Sequence, residues 1–233
     1  MQFRVGTSGY SYKEWKGGFY PEKLPQTEML AHYSRRFSTV EINNSFYKMP
    51  TADVLGSWIK QVPIGFRFAL KAPQVITHRK RLKEVEKDLD LFQKAASGLK
   101  KYLGPLLFQF PPNLKKDLPR LSDCLARIDK GLKVAVEFRN ETWLDDEVFD
   151  CLRKNACALC IADAEDLPEP RLINTTNWGY VRLRREAYTA NELRKWIKTL
   201  GDLGGNETYV FFKHEETGTG PKLADRFLKL AGP

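Results

Sequence analysis

Thr39-Val40-Glu41-Ile42-Asn43-Asn44 is the stretch on which the reading of this chain turns. Successive side chains of a strand point to opposite faces, so Val40 and Ile42 share one face while Glu41 and Asn43 share the other. One face suits an apolar core. The other carries a carboxylate and an amide that core packing does not require. The same division recurs in Val134-Ala135-Val136-Glu137-Phe138-Arg139, where Ala135, Glu137 and Arg139 oppose three apolar neighbours. Arg67, Ala69 and Lys71 oppose Phe66, Phe68 and Leu70, and Gln109 with Leu107 opposes Leu106, Phe108 and Phe110. Further on, Tyr180, Arg182 and Arg184 share a face, one apolar run ends at Asp163, and another ends Phe211-Phe212-Lys213-His214.

Outward from these segments, strands are expected at residues 3–7, 39–43, 67–71, 106–110, 134–138, 158–162, 179–183 and 209–213. Their spacing leaves room each time for a crossover helix. Apolar residues at helical spacing place helices at 25–37, 52–62, 82–103, 118–128, 145–154 and 189–200, with a last one from Pro221 to about residue 230. Thr189 stands three residues before Glu192, a capping-box pattern. Repeated strand–helix alternation implies a parallel sheet with helices outside, and eight repeats close into a (β/α)8 TIM-type barrel of roughly 250 residues. An open doubly wound sheet has no need of eight strands at this regularity. With no low-complexity segment or linker, residues 1–233 read as a single α/β domain.

Composition agrees. The 233 residues are 42% hydrophobic and 12% aromatic, enough to bury a sizeable core and to exclude general disorder. No apolar run approaches the roughly 20 residues of a membrane span, and Met1-Gln2-Phe3-Arg4-Val5-Gly6 lacks the pattern of a signal peptide. The expectation is a soluble, cytoplasmic protein with no membrane partner. Cys157 and Cys160 have C-x-x-C spacing within a strand, which turns their thiols to opposite faces, so reduced buried cysteines are expected. The net charge of +9 favours anionic partners, small molecules or nucleic acid, without choosing between them. The densest basic run, His78-Arg79-Lys80-Arg81-Leu82-Lys83, is followed at once by acidic residues and reads as a solvated helix start, with a phosphate-backbone contact as the alternative.

In a barrel the helix-facing side is apolar, so the polar faces must line the lumen, which opens at the carboxyl ends of the strands. Glu41, Asn43, Lys71, Gln109, Glu137, Arg139, Asp163, Arg182 and Lys213 are therefore expected to converge on one pocket. Buried charges persist only when paired, which leaves two readings: a closed salt-bridge network or a ligand site.

The sequence resembles the YecE-like family, also called domain of unknown function 72, over essentially its whole length. The resemblance rests on Gly6-Thr7-Ser8-Gly9-Tyr10-Ser11-Tyr12 with Trp15, Phe19-Tyr20-Pro21, and Val40-Glu41-Ile42-Asn43-Asn44-Ser45-Phe46-Tyr47. It continues through Lys71-Ala72-Pro73 with His78, Gln109-Phe110-Pro111-Pro112, Glu137-Phe138-Arg139 with Trp143, and Tyr180-Val181-Arg182-Leu183. It implies a TIM-type barrel and fixes no reaction. The chain departs from the family pattern after the eighth strand, and at Arg184 and Arg185, where a His-Gly pair is common.

The cation surplus of the ring suits an anionic ligand, since the guanidinium fork donates two parallel bonds to phosphate or carboxylate. The expected function is an enzyme acting on such a ligand by acid/base or lysine-assisted chemistry. Glu41, Lys71, Glu137 and Asp163 are the candidate catalytic residues. Tyr10, Trp15, Asn43, His78, Gln109, Arg139, Trp143, Arg182 and Lys213 are the candidate ligand contacts. Gly218-Thr219-Gly220-Pro221, ahead of the last helix, is a further place for a phosphate. No cofactor is expected. A single divalent metal on Glu41, Glu137, Asp163 and His214 is the rival reading, opposed by four nearby cations. The charge and the pocket also admit a nucleic-acid-binding or phosphodiester-processing protein, and a barrel that binds its ligand without turning it over.

Overall fold

Alternating polar and apolar faces, bounded by turn residues, produce all eight expected strands in the computed structural model, which describes residues 1–167, 169–213 and 218–232. They are β1 (Gln2–Thr7), β2 (Thr39–Ile42), β3 (Arg67–Lys71), β4 (Leu103–Gln109), β5 (Val134–Glu137), β6 (Cys157–Asp163), β7 (Trp178–Leu183) and β8 (Glu207–Phe212). Neighbours pair in parallel in the order β1-β8-β7-β6-β5-β4-β3-β2, the order of a TIM-type barrel.

The ring closes between β1 and β2 by other means than a ladder. Ser8 bridges Glu41, and the Gly9 N–H donates to the Glu41 carbonyl at 2.8 Å. One turn lower, the buried hydroxyl of Tyr33 sits in the seam: it accepts from the Thr7 N–H at 2.8 Å and donates to the Thr39 carbonyl at 3.0 Å. Gly6 permits this approach, because a Cβ there would lie 2.0 Å from the Thr39 oxygen.

The helices are α1 (Met29–Ser34), α2 (Ala52–Gln61), α3 (Glu86–Ser97), α4 (Leu118–Ala126), α5 (Asp146–Lys154), α6 (Ala190–Leu203) and α7 (Thr219–Ala231). Side chains of Thr51, Asp117, Asp145 and Thr189 cap four of them, and Thr189 with Glu192 completes the expected capping box. Two expected helices are shorter than their periodicity suggests. The first is preceded by a single tight turn, Gln26–Glu28. The third begins only at Glu86, because Arg81, Leu82 and Glu84 take φ of 51°, 65° and 48° and interrupt the chain ahead of it. Burial of Leu82 anchors this loop. The alternation also lapses once: among the described residues, no helix joins β6 to β7. There Thr175 donates to the Cys157 carbonyl at 2.7 Å and accepts from the Leu159 N–H at 2.8 Å.

Two apolar clusters follow. Outward strand faces such as Val5, Val40, Phe68 and Val136 pack beneath the helices. Inside the barrel, alanines on β3, β5 and β6 leave room for Tyr180, Tyr209 and Phe211 of β7 and β8. That aromatic layer floors the mouth. At the amino end, Arg4 and Lys133 converge on Glu207. Cys160 belongs to the inner cluster and Cys157 to the outer, and all four cysteines are unbonded. Among the described residues, no helix is long and apolar enough to cross a membrane.

Candidate active site

Glu41 and Glu137 point from β2 and β5 into the lumen and are fully buried, and Arg182 reaches between them from β7. Its guanidinium donates to Glu137 Oε2 at 2.5 Å and to Glu41 Oε1 at 2.9 Å. Glu41 also accepts from Tyr180 at 2.7 Å, Ser8 at 2.7 Å and Asn43 Nδ2 at 3.2 Å. Glu137 accepts from Gln109 Nε2 at 2.8 Å and Arg139 Nε at 2.9 Å. Burial alone would push both carboxyls up. The Arg182 charge and these bonds outweigh it: Glu41 is held below the usual carboxylate range, and Glu137, with Arg139 adding to Arg182, falls to about 2. Arg182 stays charged, because two carboxylates offset its burial.

Lys71 joins this network through Gln109 rather than through a carboxylate. Its Nζ donates to Gln109 Oε1 at 2.8 Å and lies 4.1 Å from the centre of the Phe46 ring. Burial, then the Arg182 charge, lowers its pKa to about 8. His78 sits in one turn of π-helix, Val75–Arg79, with its ring 4.8 Å from Phe46 and its Nδ1 2.8 Å from the Thr77 hydroxyl. Burial, then the charges of Lys71 and Arg139, lower its pKa to about 4, so the ring is neutral near pH 7. The rest of the basic run is a loop rather than a helix start: Lys80 pairs with Asp88 at 2.8 Å, and Arg79, Arg81 and Lys83 are exposed.

Glu41, Asn43, Lys71, Gln109, Glu137, Arg139 and Arg182 thus form one connected set, and His78 adjoins it. Other expected members lie elsewhere. Asp163 follows Ala162, which lines the lumen, so strand parity turns it outward. It pairs with Arg185 at 3.0 Å and accepts from Tyr188 at 2.9 Å. Trp15 is 1% exposed within an aromatic cluster with Tyr12, Phe19 and Tyr20 rather than in the mouth. Trp143, also 1% exposed, stacks on Phe138 and donates from its indole to the Leu114 carbonyl at 2.7 Å, so it is core. Tyr10 bonds the Trp58 indole and lines a small outer cavity with Asn43. Lys213 follows β8, half-buried, and its N–H donates to the Leu183 carbonyl at 3.3 Å. His214 lies outside the described residues.

The metal set drawn from sequence does not assemble. Arg182 occupies both glutamates and Asp163 faces away, and among the described residues no cluster of three His, Cys, Asp or Glu side chains forms. The phosphate place expected at Gly218-Thr219-Gly220-Pro221 does start α7, with Gly218 packed against Trp15.

Four residues of the site were not among those expected. Ser8 and Tyr180 complete the Glu41 shell, and Phe46 sits under Lys71. Arg184 is the fourth. Burial, then Arg182, lowers its pKa, and its Nε is sealed from solvent with no partner among the described residues. Tyr180 and Arg184 were legible by parity with Arg182. Ser8 lies just past β1 and Phe46 closes a 3-10 turn, Asn44–Phe46, where no strand periodicity marks a face.

These features define a TIM-type barrel with a charged lumen and a half-buried lysine at its carboxyl mouth. The chain belongs to the family described as protein of unknown function DUF72, whose profile matches residues 4–233. It is 24% identical to UPF0759 protein YunF of Bacillus subtilis over 97% of this chain and 93% of that one. It is 30% identical to UPF0759 protein YecE of Escherichia coli over 58% of this chain and 48% of that one. Among solved structures it superimposes on a DUF72 family protein from Thermotoga maritima with a TM-score of 0.86, 28% identity and 99% coverage of both chains.

Proposed function

We propose that the protein is an enzyme acting on a phosphorylated or carboxylated small molecule at the carboxyl mouth, with Lys71 as the reacting group. The observation that carries this reading is the state of Lys71: among the described residues its amine bonds a neutral amide oxygen and no carboxylate, against an aromatic face, with a pKa of about 8. Near neutral pH such a lysine supplies about a tenth of itself as free amine, roughly a hundredfold more than an ordinary surface lysine. Free amine can take a proton from carbon or attack a carbonyl, expelling water to leave an iminium.

This reading revises the part first given to the glutamates. A carboxylate with a pKa near 2, held by two arginines, is a poor base at neutral pH. Glu41 and Glu137 are positioning residues: both fix Arg182, and Glu137, through Gln109, fixes the lysine amine.

Competitive acetylation of the folded protein across pH tests the premise. Lys71 should react with a midpoint near pH 8, below the bulk of the lysines. Compounds identified by native mass spectrometry of the purified protein then supply substrates for turnover. Lys71→Met should lower turnover by about 10²-fold or more, and unchanged turnover would overturn the assignment.

A further inference from the structure

Beyond Lys71, three buried polar atoms at the mouth lack a hydrogen-bond partner among the described residues: Nε of Arg182, Nε of Arg184 and Oδ1 of Asn43. Buried polar groups are ordinarily satisfied, so each of these has a chemical preference that the described residues do not meet. Arg182 is already committed through its other two nitrogens to the glutamates. Arg184 is not. It follows β7 with the same parity as Tyr180 and Arg182, and its N–H donates to the Asp163 carbonyl at 2.8 Å, so the ladder fixes its backbone. Its guanidinium makes no hydrogen bond or ion pair among the described residues. Arg139 contributes a second partly open fork, with Nε on Glu137 and its terminal nitrogens unused among the described residues.

Charge counts point the same way. Among the described residues of this set, Glu41 and Glu137 bring two negative charges, whereas Arg139, Arg182 and Arg184 bring three positive ones before Lys71 is added. With Lys71 protonated the excess is two, which one dianion neutralises and one carboxylate leaves half uncompensated. Asn43 asks for something different. Its Nδ2 serves the Glu41 carboxylate, which can only accept, so its free Oδ1 needs a donor. Asn43 follows β2 and bonds Glu41, which Arg182 of β7 reaches across the lumen.

We propose that the mouth binds a hydroxylated phosphate monoester, with the phosphate on Arg184 and Arg139 and a hydroxyl donating to Asn43 Oδ1. The proposal rests on the reading of the mouth as an anion site and narrows it to one ligand class. It asks nothing of Lys71 chemistry.

Isothermal titration calorimetry of the full chain with glycerol phosphate, methyl phosphate and lactate tests it. Glycerol phosphate should bind several-fold tighter than methyl phosphate, and both tighter than lactate. Arg184→Met should weaken both esters by about tenfold or more, with Arg184→Lys intermediate, and circular dichroism should show the fold intact. Asn43→Ala should erase the advantage of glycerol phosphate over methyl phosphate. Ester binding unchanged in Arg184→Met overturns the assignment. Binding of lactate without either ester also overturns it while leaving the anion-site reading in place, and no binding of any probe overturns both. Binding is read without turnover, so a failure of Lys71 reactivity would leave this result untouched.

Discussion

Arg182 meets two opposed demands. It is 2% exposed, and removal from water penalises its charge, yet it bridges two carboxylates that are fully buried themselves. Removing one partner of such a group strands the others. Arg182→Met should therefore destabilise the fold by about 3–5 kcal/mol in chemical denaturation. Adding Glu41→Gln and Glu137→Gln should recover most of that loss. Lys71 gives the complementary case. Its folded pKa of about 8 lies below the 10.5 of an unburied lysine, so the unfolded chain holds the proton more tightly. Below pH 8 both states are protonated and the penalty of burying the charge is present in full. Stability attributable to this group rises between the two values, as the folded state is relieved first. Lys71→Met should accordingly stabilise the protein at neutral pH by on the order of 2–3 kcal/mol, and the gap to wild type should shrink as pH rises through that window. A constant gap would count against the buried-cation account. Most of this network could be read from strand parity alone, because each glutamate, arginine and lysine in it alternates with core residues. Asp163 was misplaced by residue type: Ala158, Cys160 and Ala162 are the small inward set, and Asp163 has the opposite parity.

At the scale of elements, capping supplies the clearest signals. Thr189 and Glu192 were readable as a box, and they form one, so Thr189→Ala should cost about 1 kcal/mol in thermal or chemical unfolding. The segment from Arg81 to Glu84 was not readable. Its residues are ordinary helix formers, and their left-handed backbone is imposed by the seating of Leu82 in the core, a tertiary effect with no local code. Leu82→Gly removes the plug while easing the strained φ of 65°. Loss of the buried side chain should dominate, lowering stability by about 2 kcal/mol or more and loosening the π-helical turn that carries His78. Unchanged stability would show that backbone strain, not the plug, governs the loop. The connection from β6 to β7 follows similar logic: a threonine hydroxyl serves the strand backbone there, and hydrophobic periodicity carries no trace of it.

At the scale of the molecule, the lumen is layered: ion pairs at the amino end, an aromatic and alanine layer in the middle, and the charged mouth above. The strand count and order followed from alternation and spacing, because eight half-polar strands admit few other closures. What no pattern revealed is how the circle is completed. A hoop fastened by a clasp opens at the clasp, and here the clasp is a phenol beside a single backbone bond. Tyr33→Phe leaves the Thr7 N–H and the Thr39 carbonyl buried without partners, which should cost about 1–3 kcal/mol. Amide exchange should accelerate first at Thr7 and Gly9. Ser8 and Glu41 stand on opposite sides of that join, tied at 2.7 Å. Any gaping of the hoop therefore pulls the floor of the site apart, and the tension that keeps the barrel round is the same tension that keeps its carboxylate in place.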